Sequence, residues 1–138
     1  MHYLCTQIII MYMYYIEKTF EISASHRLAL SYESKCTRVH GHNWRITVYC
    51  RSKELNAEGM VVDFSHVKRL VKDRLDHQML NEVLPFNPTA ENIARWITEQ
   101  IPQCYMTRVQ ESEGNVAVYE RPTPDPSPRE GGRMSDDV

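Results

Sequence analysis

The chain lacks what several common classes of protein require. Its four cysteines, Cys5, Cys36, Cys50 and Cys104, include no CxxC pair and are too sparse for the disulfide framework of a small secreted domain. A reducing cytoplasm is the expected setting. No basic excess exists either: charged residues make up 25% of the chain and the net charge is −2. That balance excludes nucleic acid as the expected partner and points to a small molecule. No apolar run is long enough to span a membrane. The most apolar stretch, residues 3–16, centres on Ile8, Ile9 and Ile10, contains Thr6 and Gln7, carries no basic leader, and falls short of the roughly 20 residues a spanning helix needs. With 138 residues the chain has room for one domain with a real core and not for two. Met11 and Met13 are alternative starts to Met1, so residues 1–13 are expected to be an N-terminal extension outside the fold.

What is present begins with alternation. From Tyr14 to Ser25, Ile16, Phe20, Ile22 and Ala24 share one face while Glu17, Glu21 and Ser23 fall off it, the pattern of a half-buried strand. A loop is expected over 27–39, which has no periodicity. From Asn43 to Arg51 a second strand is predicted, with Trp44, Ile46, Val48 and Cys50 on one face; Cys50 there reads as a packing residue. Asp63 is placed to cap a helix whose stripe is Phe64, Val67, Leu70, Val71 and Leu75. Pro85 and Pro88 imply an irregular segment after it. Thr89 is placed to cap a second helix with the stripe Ala90, Ile93, Ala94, Ile97 and Ile101, closed by Pro102. Two short alternating runs around Glu113-Gly114 predict a hairpin. The segment 122–138, rich in proline and nearly without apolar residues, is expected to be disordered. The order β-β-α-α-β-β makes the fold class α+β, a four-stranded antiparallel sheet with two helices on one face, and the domain 14–121. So small a sheet leaves edges and a face to cover, which a homo-oligomer supplies.

The stretch Cys36-Thr-Arg-Val-His-Gly-His-Asn-Trp44 carries the chemistry. His40 and His42, two apart in an extended segment, project on one face, and Gly41 is expected to remove bulk between them. A His-x-His pair alone is a common chance pattern. His26 ends the first strand, however, where it meets the pair across an antiparallel ladder. Three imidazoles with an open fourth position are the donor set of a catalytic zinc, bound at about 2.0–2.1 Å. Imidazole sites also take iron or nickel. His2 and His66 read as surface or packing residues. On the residues alone, Cys36 is as readily a buried inert thiol as a base, and Glu111 is a strand-end carboxylate.

His26, Cys36-x-x-x-His40-Gly-His42-Asn-Trp, Val62-Asp63-Phe64, Leu75-Asp76-His77-x-x-Leu80-Asn81, Pro88-Thr89-x-Glu91-Asn92 and Glu111 together resemble the 6-pyruvoyl-tetrahydropterin synthase superfamily from about Tyr14 to Arg121. The short spacing between Cys36 and His40 is similar to the bacterial carboxy-tetrahydropterin branch, which serves queuosine biosynthesis. The resemblance implies a tunnelling fold, or T-fold, assembled as a hexamer from two trimers, with active sites between subunits. It implies 7,8-dihydroneopterin triphosphate as the substrate and zinc on His26, His40 and His42. It further implies Cys36 as general base, Asp76 and His77 as a proton relay, and Glu111 as the pterin anchor. Adjacent side chains diverge, so Asp76 and His77 are expected in a turn, or acting on different copies. The competing expectations are a pyruvoyl-type lyase on the same scaffold and a non-catalytic assembly module whose zinc is closed by Cys36 as fourth ligand.

Overall fold

A computed structural model describes residues 12–122. The expected extension and tail therefore lie almost wholly outside the described residues, as do Cys5 and His2. Four strands form one antiparallel sheet in the order β1-β2-β3-β4: β1 Tyr14–His26, β2 His40–Ser52, β3 Cys104–Ser112 and β4 Asn115–Glu120. The α+β class and sheet are those expected from the sequence. The strands run slightly longer than their alternation showed, because β1 and β2 stay paired through the histidines, with His26 opposite His40.

One face of the sheet is apolar and covered. Phe20, Ile22, Ala24, Trp44, Ile46, Val48 and Val109 are buried on it. On the β3–β4 side of this face lies α4, Ala90–Gln100, whose Ile93, Ala94 and Ile97 are buried. Thr89 caps α4 by accepting from the Asn92 N–H at 3.2 Å. At the other end, the Arg121 guanidinium donates to the carbonyls of Thr98 and Cys104, both at 2.7 Å, tying the first residue after β4 to the helix end. Buried Thr98 and Thr107 satisfy each other at 2.8 Å between α4 and β3. Cys50 and Cys104 are buried partners across β2 and β3, which agrees with packing roles.

The first predicted helix departs from expectation. It is broken into α1, Phe64–Leu70, and α2, Lys72–Leu75, with Val71 at φ −117° between them. Asp63 caps α1 as predicted, accepting from the Ser65 N–H at 2.8 Å. Phe64, counted in the apolar stripe, is instead exposed. The segment expected to be irregular contains one helical turn, α3 Leu80–Val83, which drives Leu80 into the core. The loop 27–39 likewise holds a 3₁₀ turn at Lys35–Thr37. Among the described residues no helix is long and apolar enough to cross a membrane.

Ile97 is fully buried between α4 and the sheet. Ile97→Ala should cost about 2–5 kcal/mol of unfolding free energy in urea titrations. A loss below about 1 kcal/mol would mean that α4 does not hold the core.

Candidate functional site

Strand register builds the site. The β1–β2 pairing sets His26 opposite His40 and Ala24 opposite His42, so all three histidines project from the covered face at the end of the sheet. Their rings lie 4.6, 4.9 and 5.2 Å apart by centroid, and one nitrogen from each falls within 4.8 Å of the others. Trp44 forms the floor beneath them, its ring edge-on to His26 and His42 and its indole N–H donated to the Ala24 carbonyl at 3.1 Å.

Backbone carbonyls orient two of the rings. His26 Nδ1 lies 2.8 Å from the Pro88 carbonyl and His40 Nδ1 lies 2.7 Å from that of Arg38. A carbonyl only accepts, so both Nδ1 atoms carry the proton and both Nε2 atoms keep a lone pair. The Nε2 atoms of His26 and His42 are buried without a hydrogen-bond partner. Glu111 comes nearest, Oε1 at 3.4 Å from His42 Nε2 and Oε2 at 4.0 Å from His26 Nε2, close enough for electrostatic contact but without hydrogen-bond geometry. Burial is the main influence lowering the pKa of both His26 and His42, and it outweighs the opposing pull of Glu111. The rings are held neutral, which is the form that binds a metal.

Gly41 does not act as expected. Its position points to the opposite face, where an added Cβ would meet only the Ala24 carbonyl oxygen at 3.8 Å, so it relieves no crowding between the imidazoles.

Cys36 belongs to the 3₁₀ turn. Its carbonyl accepts from the Leu28 N–H at 2.8 Å, tying the turn to the chain leaving His26. Cys36, His40, His42 and Glu111 line one cavity of about 560 Å³. The cysteine is outside the group of nitrogens within 4.8 Å, which among the described residues contains the three histidines alone.

Asp76 and His77 are not brought into this cavity within one chain. They occupy a turn, one of the two arrangements expected from their adjacency, with His77 at φ 58°. The turn runs along the free edge of β1: the His77 N–H donates to the Ser23 carbonyl at 2.7 Å and the Ser25 N–H to that of Gln78 at 3.1 Å. Asp76 Oδ1 accepts from the Ser23 N–H at 2.9 Å and lies 3.1 Å from His77 Nδ1. His77 then faces a separate concavity with Ser23, Ser25, Gly41, Asn43 and Met79, all from the uncovered face or the turn itself.

Sequence reasoning gave Asn81 no role beyond its place in the motif and did not single out Asn87. Asn81 bonds both the N–H and the carbonyl of Arg27, at 2.8 and 2.9 Å, and Asn87 does the same to Ala29, at 2.9 and 3.1 Å. Each amide replaces a strand partner for the backbone just beyond His26. No periodicity marks such a role.

The Ser23 N–H, first, and His77 hold the Asp76 carboxyl below the usual carboxylate range. Its contribution to stability is complete above the unfolded value, about pH 4, and is lost as pH falls through the lower folded value. Asp76→Asn should therefore lower Tm at neutral pH, and the gap from the parent should narrow below about pH 4. A gap independent of pH would remove the carboxylate from this account.

The 6-pyruvoyl tetrahydropterin synthase family model matches residues 15–124. A Synechocystis protein named 6-carboxy-5,6,7,8-tetrahydropterin synthase is 39% identical over 124 residues, covering 80% of this chain and 95% of that one. One of the same name from Bacillus subtilis is 32% identical, covering 82% of each. The structure of Caenorhabditis elegans 6-pyruvoyl tetrahydropterin synthase superposes with a TM-score of 0.65 at 26% identity, covering 81% of this chain and 98% of that one. By its residues and its fold alike, the chain belongs to the 6-pyruvoyl tetrahydropterin synthase family, and its fold is the T-fold.

Proposed function

We propose that this chain is a 6-carboxy-5,6,7,8-tetrahydropterin synthase. It converts 7,8-dihydroneopterin triphosphate and water to 6-carboxytetrahydropterin, acetaldehyde and triphosphate, a step toward queuosine. The names of its relatives support the branch. The observation that carries the chemistry is the cluster of three imidazoles, two of which line one cavity with a thiol and a carboxylate.

Zinc fits the histidines, because two buried Nε2 atoms lack partners and two rings have Nδ1–H committed to carbonyls. When bound by His26, His40 and His42, zinc supplies Lewis acidity toward the side-chain hydroxyls of the substrate. The remaining work falls to the protein. Cys36 takes the proton from a hydroxyl-bearing carbon as general base. Glu111, whose carboxylate faces the same cavity, accepts hydrogen bonds from the pterin ring N–H and exocyclic amine. His77 exchanges protons through Nε2 while Asp76 holds Nδ1.

In one chain His77, held by Asp76, and Cys36 line different cavities. A cytoplasmic homo-oligomer, a hexamer built as two trimers, completes the site by bringing this pair from one copy to the cavity of another. The catalytic domain is 14–121, from the first residue of β1 to the arginine that ties the end of α4. A closed structural zinc would need a fourth protein ligand, and Cys36 stands outside the nitrogen cluster.

Zinc-loaded protein incubated with dihydroneopterin triphosphate should yield carboxytetrahydropterin and acetaldehyde by mass spectrometry. Cys36→Ala should slow turnover about 10²–10⁴-fold. A pyruvoyl product would move the chain to the neighbouring branch, and zinc retention without turnover would favour the assembly module. By elemental analysis the parent should hold about one zinc per chain, and His26→Ala should hold far less. Full retention in that variant would exclude His26 as a ligand.

A further inference from the structure

Two cations of the 3₁₀ turn are unused by the chemistry above. Lys35 and Arg38 flank Cys36 in sequence and line the same cavity as Cys36, His40, His42 and Glu111. Both side chains are exposed, and neither forms an ion pair among the described residues. They also line an adjoining concavity of about 430 Å³ with Ser34, Thr37 and Glu33. Two cations therefore stand at the junction of the reaction cavity and a polar shelf, with one carboxylate on each side, Glu111 in the cavity and Glu33 on the shelf.

The turn itself is held. Ser34 Oγ accepts from the Cys36 N–H at 3.1 Å, the Thr37 hydroxyl donates to the Ser34 carbonyl at 2.7 Å, and the Arg38 N–H donates to the Lys35 carbonyl at 3.1 Å. Arg38 uses its own carbonyl to orient His40. The backbone that fixes a ring of the cluster thus also fixes the base of a cationic side chain.

We propose that Lys35 and Arg38 bind the polyphosphate of the substrate, anchoring its charged end beside the reaction cavity. The inference rests on the reading of the substrate as a pterin triphosphate. A chain of net charge −2 offers such an anion no general attraction, so the cations must be local. Arg38 supplies a forked donor that spans two phosphate oxygens, and Lys35 a mobile point charge. The polyphosphate takes no part in removing the carbon-bound proton. Where loss of that proton limits turnover, ahead of the departure of triphosphate, its capture is uniform binding, which lowers KM and leaves kcat alone.

The test is calorimetric titration of inorganic triphosphate into the metal-free full-length protein at low salt, beside steady-state kinetics of the zinc-loaded protein. The double variant Lys35→Ala, Arg38→Ala should bind triphosphate at least about tenfold more weakly and show a similar rise in KM with kcat little changed. The exchange Lys35→Arg, Arg38→Lys should retain most of the binding. Lys53→Ala, an exposed lysine at the far end of β2, should match the parent. Unchanged triphosphate binding in the double alanine variant, or no binding by the parent, overturns the proposal even if pterin turnover is normal. Binding that depends on both residues without pterin turnover leaves the anion site standing and removes the substrate reading instead.

Discussion

The pairing of His26 opposite His40 fixes where every other side chain of β1 and β2 points. Strand side chains alternate with period two, so a slip of one residue would put His26 on the uncovered face and Ser25 in its place. The register is held along the length of the pair by Ile22 opposite Trp44 and Phe20 opposite Ile46, all buried beneath the helices. Burying these large side chains is worth about 1.5–3 kcal/mol each, so a slipped register would forfeit far more than one ladder hydrogen bond supplies. The hydrophobic core thereby selects the arrangement of the polar cluster at its end.

That cluster is locally unfavourable. Two buried imidazole nitrogens without partners cost about 1–3 kcal/mol each, an appreciable share of the roughly 5–15 kcal/mol by which a domain of this size is stable. Protonation would give each of these nitrogens an N–H to offer Glu111. Desolvation nevertheless dominates and keeps both rings neutral. The site is prepared to accept a Lewis acid in place of a proton, and the surrounding core and the asparagine clamps on Arg27 and Ala29 keep it from collapsing.

The strands and α4 were legible because burial on one side writes itself into alternation and into a helical stripe. His26 joining His40 and His42 was legible for the same reason, since facing strands bring like faces together. What escaped is set by contacts through space. The break at Val71 and the helical turn at Leu80 leave no periodic trace in segments of four to seven residues. Phe64 satisfied the stripe, yet at the first residue of α1 its side chain is exposed. Adjacency showed that Asp76 and His77 needed a turn, but the edge of β1 on which that turn docks was visible only in the fold. Glu111 was read as a strand-end carboxylate or a pterin anchor; that its oxygens would rest against two histidines followed from a β3 register that no local pattern states.

Gly41 and His42 border both the cavity of Cys36 and the concavity of His77. At that point a single strand is the whole partition between the two. Ridges on the covered face and hollows on the open one are impressions of the same backbone, so the two cannot be reshaped independently. A substitution at Gly41 or His42 therefore alters the lining of both cavities at once.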